Sequence, residues 1–172
     1  MRYFTRGWTH GELSDEETED ARSRYWARVD EIAPRLPAPL PELAKSVSIH
    51  DALVDHVCWE PSIDRLTLRL VCLKADPAAY EAVEIVYEGA MLGVRRIETL
   101  RQVALSRETE LLYDEVDVDD EGTFAHRILF WPADEVTIDF RSMSLARWPV
   151  EDKRVHLGYP FREVVVDDDE DS

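Results

Sequence analysis

The sequence is poor in glycine and cysteine, two residue types on which many functional sites depend. It holds six glycines among 172 residues, and they form no GxGxxG or P-loop motif, which argues against the common nucleotide-binding enzymes. The two cysteines, Cys58 and Cys72, are too few for a disulfide framework or a paired CxxC zinc site. Each falls in a predicted strand, where cysteine usually acts as a small hydrophobic residue. We therefore expect no cofactor and no metal.

Positive charge is also scarce. The chain has 20 Lys and Arg residues, only three of them Lys, against 37 Asp and Glu, and its formal net charge is −17. Nucleic acids and anionic membranes both attract basic surfaces, so we expect neither as a partner. The surplus of carboxylates permits a basic protein partner, although solubility alone also accounts for it.

Long apolar runs are missing as well. No run approaches the ~20 residues that cross a bilayer, and no basic-then-apolar leader opens the chain; both features favour a cytoplasmic protein. The length suits one domain, which we predict over residues 1–166. Residues 167–172 (DDDEDS) are almost wholly charged and are predicted to be a disordered acidic tail. The sequence does not specify an oligomeric state.

Helical periodicity is clearest near the start of the chain. Ser14 and Glu17 match a capping box, and the acidic run that follows suits a helix N-terminus, so we predict a helix over residues 15–33. The proline-rich segment 34–41 is expected to be extended, and residues 42–47 to form one helical turn. Apolar residues recur at helical spacing along the first segment at Ala21, Tyr25, Val29 and Ile32.

Alternation of apolar and polar residues predicts six strands. The connections between them are mostly short, which favours antiparallel pairing. The predicted fold is therefore α+β, a curved and mainly antiparallel sheet of about six strands with the N-terminal helix packed on it. Residues 91–106 fit either a short helix or an extension of the third strand, and residues 162–166 fit an edge strand. The six strands are predicted at 53–60, 65–73, 82–89, 108–118, 123–131 and 136–145.

The fourth and fifth predicted strands carry the candidate site. Pairing Val118 with Thr123 sets Glu115 opposite His126, with Tyr113 on the same apolar face. A buried carboxylate is costly unless it is paired, so we predict a Glu115–His126 pair. A carboxylate that orients an imidazole suits general acid–base catalysis, and Tyr113 would wall the site. Alternatively, the pair is structural and fixes the strand register.

The same pairing predicts what faces water. Phe130 is expected to face Val136 in the second hairpin. Asp114, Arg127 and Asp139 then share the opposite face of the sheet, where they are expected to form a charge ladder exposed to solvent.

A second cluster of polar residues lies over residues 50–56. His50 and His56 lack the spacing of a zinc-binding pair, and no Cys pair or third His lies nearby, so we expect Asp51 to cap a turn instead. Cys58 lies two residues from His56 on one strand face. Such neighbours are rarely aligned for proton transfer, and we expect a packing role for Cys58.

Tryptophan is abundant for a chain of this length. Any tryptophan that stays exposed would mark a partner surface. With the acidic charge and the missing catalytic motifs, this favours a non-enzymatic domain that binds a basic protein. The alternative is a small-molecule enzyme or ligand binder with a site around Glu115 and His126. The tryptophans are Trp8, Trp26, Trp59, Trp131 and Trp148.

Three segments of the chain carry a family resemblance: residues 1–5 (MRYFT) with Trp8, residues 49–52 (IHDA), and the block 111–140 with HRI at 126–128 and IDF at 138–140. Together they resemble a bacterial family of uncharacterised proteins that open with M-(K/R)-Y-F-T. The resemblance implies a bacterial cytosolic protein and assigns no activity and no functional residue. Immunity proteins that neutralise toxins are similar in size and acidity, which is analogy alone.

Overall fold

The computed structural model describes residues 1–74, 79–106, 108–132, 134–153 and 159–165. The predicted acidic tail at 167–172, and residue 166 of the predicted domain, lie outside this part of the chain. Within it the fold is α+β, as predicted. The helices span Arg6–Thr9 (α1), Asp15–Ile32 (α2), Pro39–Ser46 (α3) and Val94–Ser106 (α4). The strands span Ala52–Glu60 (β1), Arg65–Leu73 (β2), Tyr80–Glu88 (β3), Glu110–Val118 (β4), Phe124–Trp131 (β5), Glu135–Phe140 (β6), Ser142–Val150 (β7) and Phe161–Glu163 (β8).

The strands form one eight-stranded sheet with the order β6-β5-β4-β1-β2-β3-β7, and β8 pairs with β1. The β1–β8 pair is parallel, and the six pairs along the main path are antiparallel. The sheet is therefore mainly antiparallel, which confirms the prediction from the short connections. Its strand number is higher than the six predicted.

Of the two extra strands, β8 overlaps the segment 162–166 that fits an edge strand, and the other comes from a change of partner within one predicted strand. The segment predicted at 136–145 is two strands, β6 and β7, separated by Arg141. β6 pairs with β5, whereas β7 pairs with β3 and continues to Val150. The end strands of the sheet are thus consecutive in the chain. The sheet curls until its two ends meet at Arg141, whose amide donates to the Glu88 carbonyl at 3.0 Å.

Glycine is required where the ends meet. Gly89 has a φ of +63°, and a Cβ at this position would lie 3.0 Å from Cγ and Cδ of Arg141. An L-residue with a side chain is strained at such an angle, and here it would also collide. Two residues further on, the amide of Met91 donates to the Asp139 carbonyl at 2.7 Å, which extends the contact between the ends of the sheet.

The helices largely follow the local signals in the sequence. The capping box is present: Ser14 Oγ accepts from the Glu17 amide at 3.3 Å and Glu17 Oε2 from the Ser14 amide at 2.9 Å. The segment predicted as extended already turns helical at Pro39, which suits a first helical turn. Residues 94–106 form helix α4, which decides between the two alternatives for that segment.

The core lies inside the curl of the sheet and is covered by α4, which contacts β1, β6 and β8. Cys58 and Cys72 are both free. Burial raises the pKa of the Cys58 thiol and raises that of Cys72 to about 12, so both stay protonated and unreactive near neutral pH. On β2 one face belongs to the core, with Leu66, Leu68, Leu70 and Cys72 all buried.

Among the described residues, no helix combines the length and the apolar character needed to cross a membrane.

Candidate functional site

The register of β4 against β5 differs from the predicted one. Val116 faces His126, and Glu115 faces Arg127. A bulge just after Leu111 shifts the register, because an extra residue on one strand exchanges the faces of all residues that follow. The predicted direct pair of Glu115 and His126 is therefore wrong, since the two side chains lie on opposite faces of the sheet.

The second hairpin is also shifted, by two residues rather than one. Ile128 faces Val136, where the prediction placed Phe130. A shift of two preserves the faces of the sheet, so the apolar residues of β5 and β6 remain together. The predicted water-facing charge ladder is wrong: Asp114 contacts His126 in the core, and the Arg127 side chain is only 13% exposed.

Glu115 holds the N-terminal segment of the chain on the sheet. Its Oε1 accepts hydrogen bonds from the amides of Tyr3 at 2.7 Å and Phe4 at 2.8 Å, and its Oε2 accepts one from the amide of Arg2 at 2.8 Å. Successive amides that converge in this way form an anion-binding nest. The guanidinium of Arg127, 3.9 Å away, adds positive charge. The side chain is fully buried, and both carboxylate oxygens are engaged by these contacts.

His126 bridges two other residues inside the core. Its Nδ1 lies 2.6 Å from the Tyr87 hydroxyl, and its Nε2 lies 3.1 Å from Oδ2 of Asp114. In the tautomer that donates from Nε2–H to the Asp114 carboxylate, Nδ1 accepts from the Tyr87 hydroxyl. Burial, followed by the charge of Asp114, raises the pKa of Tyr87 well above its usual value, which keeps that hydroxyl protonated.

Asp114 connects this buried chain to a surface cleft. β1 and β4 pair only at Ala52–Leu111 and Leu53–Glu110, so the rest of β4 is bordered on that side by α2 and by the connection from α3 to β1. The cleft between these elements has a volume of about 220 Å³. The Asp114 side chain, 20% exposed, lines it together with Tyr113.

The walls of the cleft are aromatic. Trp8 meets Tyr113 edge to face, with ring centroids 4.6 Å apart, and the His50 ring lies 4.8 Å from Tyr113 on its other side. Trp26, on α2, packs 5.1 Å from the Tyr25 ring and remains 40% exposed. Tyr113, a predicted site residue, is therefore a wall of the cleft, although Glu115 and His126 do not line it.

The charges at the cleft are few. Among the described lining residues Asp114 is the only acid, and Arg22 on α2 is the only Lys or Arg. Arg22 lies 3.6 Å from Glu19 on its own helix. Burial, more than the nearby charge of Asp51, raises the pKa of Tyr113, so its ring is uncharged near neutral pH. Aromatic faces beside a carboxylate are suited to binding an organic cation.

A second ionic cluster beside Glu115 is structural. Asp117 accepts from Arg2 at 2.8 Å, from Arg28 at 3.0 Å and from Arg127 at 3.2 Å. Burial acts to raise the pKa of Asp117, but the hydrogen bonds from Arg28 and the Val118 amide and the charges of Arg127 and Arg2 outweigh it, and the pKa is lowered. The cluster ties α2 and the N-terminal segment to β4 and β5.

The polar cluster at residues 50–56 does not form a metal site. His50 Nδ1 contacts the carbonyl of Leu112, and His56 Nδ1 contacts the carbonyl of Tyr159. No group of three or more possible metal ligands is found in the described part of the chain. Asp51 adopts a φ of 57°, which agrees with the predicted turn.

Asp114 is the residue that the sequence prediction missed. The available signal is the pair of consecutive leucines, Leu111 and Leu112, which interrupts the alternation along β4 and marks the bulge. The tryptophans differ in exposure: Trp26 and Trp131 are exposed, whereas Trp8 and Trp59 are buried.

Comparison of the chain with protein-family models, with curated proteins and with solved structures finds no match. The resemblance of three segments to a bacterial family therefore stays a prediction. The function is argued below from the geometry of the cleft.

Proposed function

We propose that this protein is a non-enzymatic domain that binds a basic protein partner, and that the aromatic cleft is the centre of the binding surface. One observation carries the proposal: Trp8, Trp26 and Tyr113 wall a cleft that also exposes the carboxylate of Asp114, on a chain with a net charge of −17. Trp26 is exposed, Tyr113 is half-buried and Trp8 is buried. Aromatic side chains that line a pocket are typical of binding hot spots, and surplus negative charge steers a cationic partner.

The buried chain behind the cleft supports this proposal. A histidine and a tyrosine hydrogen-bonded inside an apolar core are costly unless every polar group has a partner. Here they are used to fix the orientation of Asp114, the acid that lines the cleft. A surface carboxylate held in place from behind is pre-organised for a ligand.

The alternative, a small-molecule site around Glu115 and His126, has weaker support. Both side chains are fully buried, and the N-terminal segment covers Glu115. A substrate has no route to either group in this conformation, and direct contact is required for acid–base catalysis. An immunity protein acting on a basic toxin is one biological role that a partner of the proposed kind would fit.

Site-specific photocross-linking tests the proposal. A benzoylphenylalanine is introduced at Ser48, an exposed residue lining the cleft, and in a control protein at Ile63, 50% exposed beyond the far end of β1. We expect the Ser48 probe to capture one basic protein in bacterial cells. Asp114→Asn in the same protein is expected to abolish the cross-link.

The matched control for the charge is Asp120→Asn, which makes the same chemical change in an exposed turn at the other end of β4. The cross-link is expected to survive it. The same products from Ser48 and Ile63, or a yield unaffected by Asp114→Asn, would show that the cleft does not bind the partner.

A further inference from the structure

The cleft has the geometry of a receptor for a single positive charge. It combines three aromatic walls with one carboxylate, and the cation–π attraction of the rings adds to the charge of Asp114. Its volume is about 220 Å³, which is room for one amino-acid side chain with a charged end.

The carboxylate has one oxygen available. Oδ2 of Asp114 is engaged by His126 at 3.1 Å, and no further hydrogen bond to Asp114 is found among the described residues. A guanidinium binds a carboxylate best through both oxygens. A primary ammonium needs only one acceptor, and its apolar stem packs along aromatic rings while the charged end is free to reach the acceptor.

We propose that the cleft binds the side chain of a lysine of the partner, with its methylenes packed against the aromatic wall that Trp8, Trp26 and Tyr113 form and its ammonium at Oδ1 of Asp114. This inference rests on the proposed function, because it names the chemical group by which the basic partner is recognised. It also excludes, as the main interaction, an arginine whose guanidinium binds both oxygens of Asp114.

Arg22 provides an independent consequence. Arg22 lines the cleft, and among the described residues its ion pair is with Glu19, 3.6 Å away, with both side chains exposed. A like charge at the rim of a cation site opposes the ligand, and the attraction between exposed groups is weak. Neutralising Arg22 therefore strengthens the binding of a cation, whereas it would leave the binding of an uncharged chain unchanged.

The test is a titration of the whole protein with small probes. The probes are N-acetyl-lysine amide, N-acetyl-arginine amide and the uncharged N-acetyl-norleucine amide, and the readout is the NMR signals of the Trp8 and Trp26 indole N–H groups. We expect the lysine amide to give saturable shifts of both signals. The arginine amide is expected to bind more weakly, and the norleucine amide is expected to produce no saturable shift.

Three variants complete the test. Asp114→Asn keeps an acceptor for His126 and is expected to weaken lysine-amide binding at least ~10-fold, the equivalent of 1.4 kcal/mol. Arg22→Gln is expected to tighten it about 2- to 5-fold, as expected for one exposed charge. Asp120→Asn is expected to leave it unchanged, which separates a local effect from net charge.

Equal binding of the lysine and norleucine amides would overturn the inference, and so would tighter binding of the arginine amide than of the lysine amide. If neither indole signal responds to any probe, the inference also fails. In that case a cross-link from Ser48 that still depends on Asp114 would leave the proposed protein-binding function standing. Saturable binding of the lysine amide without any cross-linked protein would instead contradict the proposed function and leave the cation site standing.

Discussion

Adjacent acidic residues on β4 have opposite surroundings. Asp114 lines the cleft and is held from behind by His126, whereas Glu115 points to the other face and is enclosed by backbone amides. Both acids lie among the apolar residues of β4, so the sequence does predict that a carboxylate is buried here. It does not predict the partners, because backbone amides are common to nearly every residue and leave no trace in the sequence.

At the same scale, Asp117 gives a pH dependence whose sign follows from its contacts. Its pKa is lowered in the folded protein, below the unfolded value of ~3.9. The stabilisation is therefore complete above the unfolded pKa and is lost as the pH falls through the folded pKa. We expect Asp117→Asn to reduce the free energy of unfolding by roughly 3 kcal/mol at neutral pH, since it breaks a buried ionic cluster.

Urea unfolding of the wild type and Asp117→Asn at a series of pH values measures this effect. The difference between the two proteins is expected to be constant above about pH 5 and to shrink progressively below about pH 4. Asp120→Asn is the exposed control and is expected to change stability little at any pH. A difference that stayed constant down to the acid limit would contradict the role given to Asp117.

At the scale of elements, the bulge after Leu111 decides the composition of the site. Strand positions and the helix α2 follow from periodicity and capping, which are local properties of the sequence. A bulge depends on how one strand meets its neighbour, and moving the register by one residue exchanges the two faces. This explains why the strands of the β4–β5 hairpin are predicted correctly while the Glu115–His126 pair is wrong.

The N-terminal segment is the element that depends on Glu115. Replacing the carboxylate by an amide, Glu115→Gln, presents an NH2 group to amides that need an acceptor. We expect the amides of Arg2, Tyr3 and Phe4 to lose protection in hydrogen-exchange measurements, with a stability loss of roughly 2 kcal/mol. Glu121→Gln, in the exposed turn after β4, is the control. Unchanged exchange at residues 2–4 would argue against the nest.

At the scale of the whole molecule, the two end strands of the open sheet, β6 and β7, follow each other in the chain but pair with different neighbours. The sequence predicts one strand over β6 and β7, because the alternation of apolar and polar residues continues through both. The change of partner occurs at Arg141, which packs beside Gly89. Such long-range pairing has no local signal. The α+β class, by contrast, follows from the short connections and is predicted correctly.

The distribution of charge also belongs to this scale. With a net charge of −17, the whole surface would attract any basic protein and would only weakly distinguish one site from another. In the proposed function the specific contribution comes from one cleft, which Asp114 lines together with aromatic rings. The basic partner and a free lysine side chain are therefore expected to compete for the cleft at Asp114.

A competition experiment tests this claim most directly. The protein carrying the photocross-linker at Ser48 is irradiated in a host lysate with N-acetyl-lysine amide at a saturating concentration, and in parallel with the same concentration of N-acetyl-norleucine amide and of sodium chloride. We predict that the lysine amide suppresses the cross-link to the basic partner well beyond the loss that equal ionic strength produces, and that norleucine amide leaves it intact. A cross-link that persists at saturating lysine amide would contradict the account.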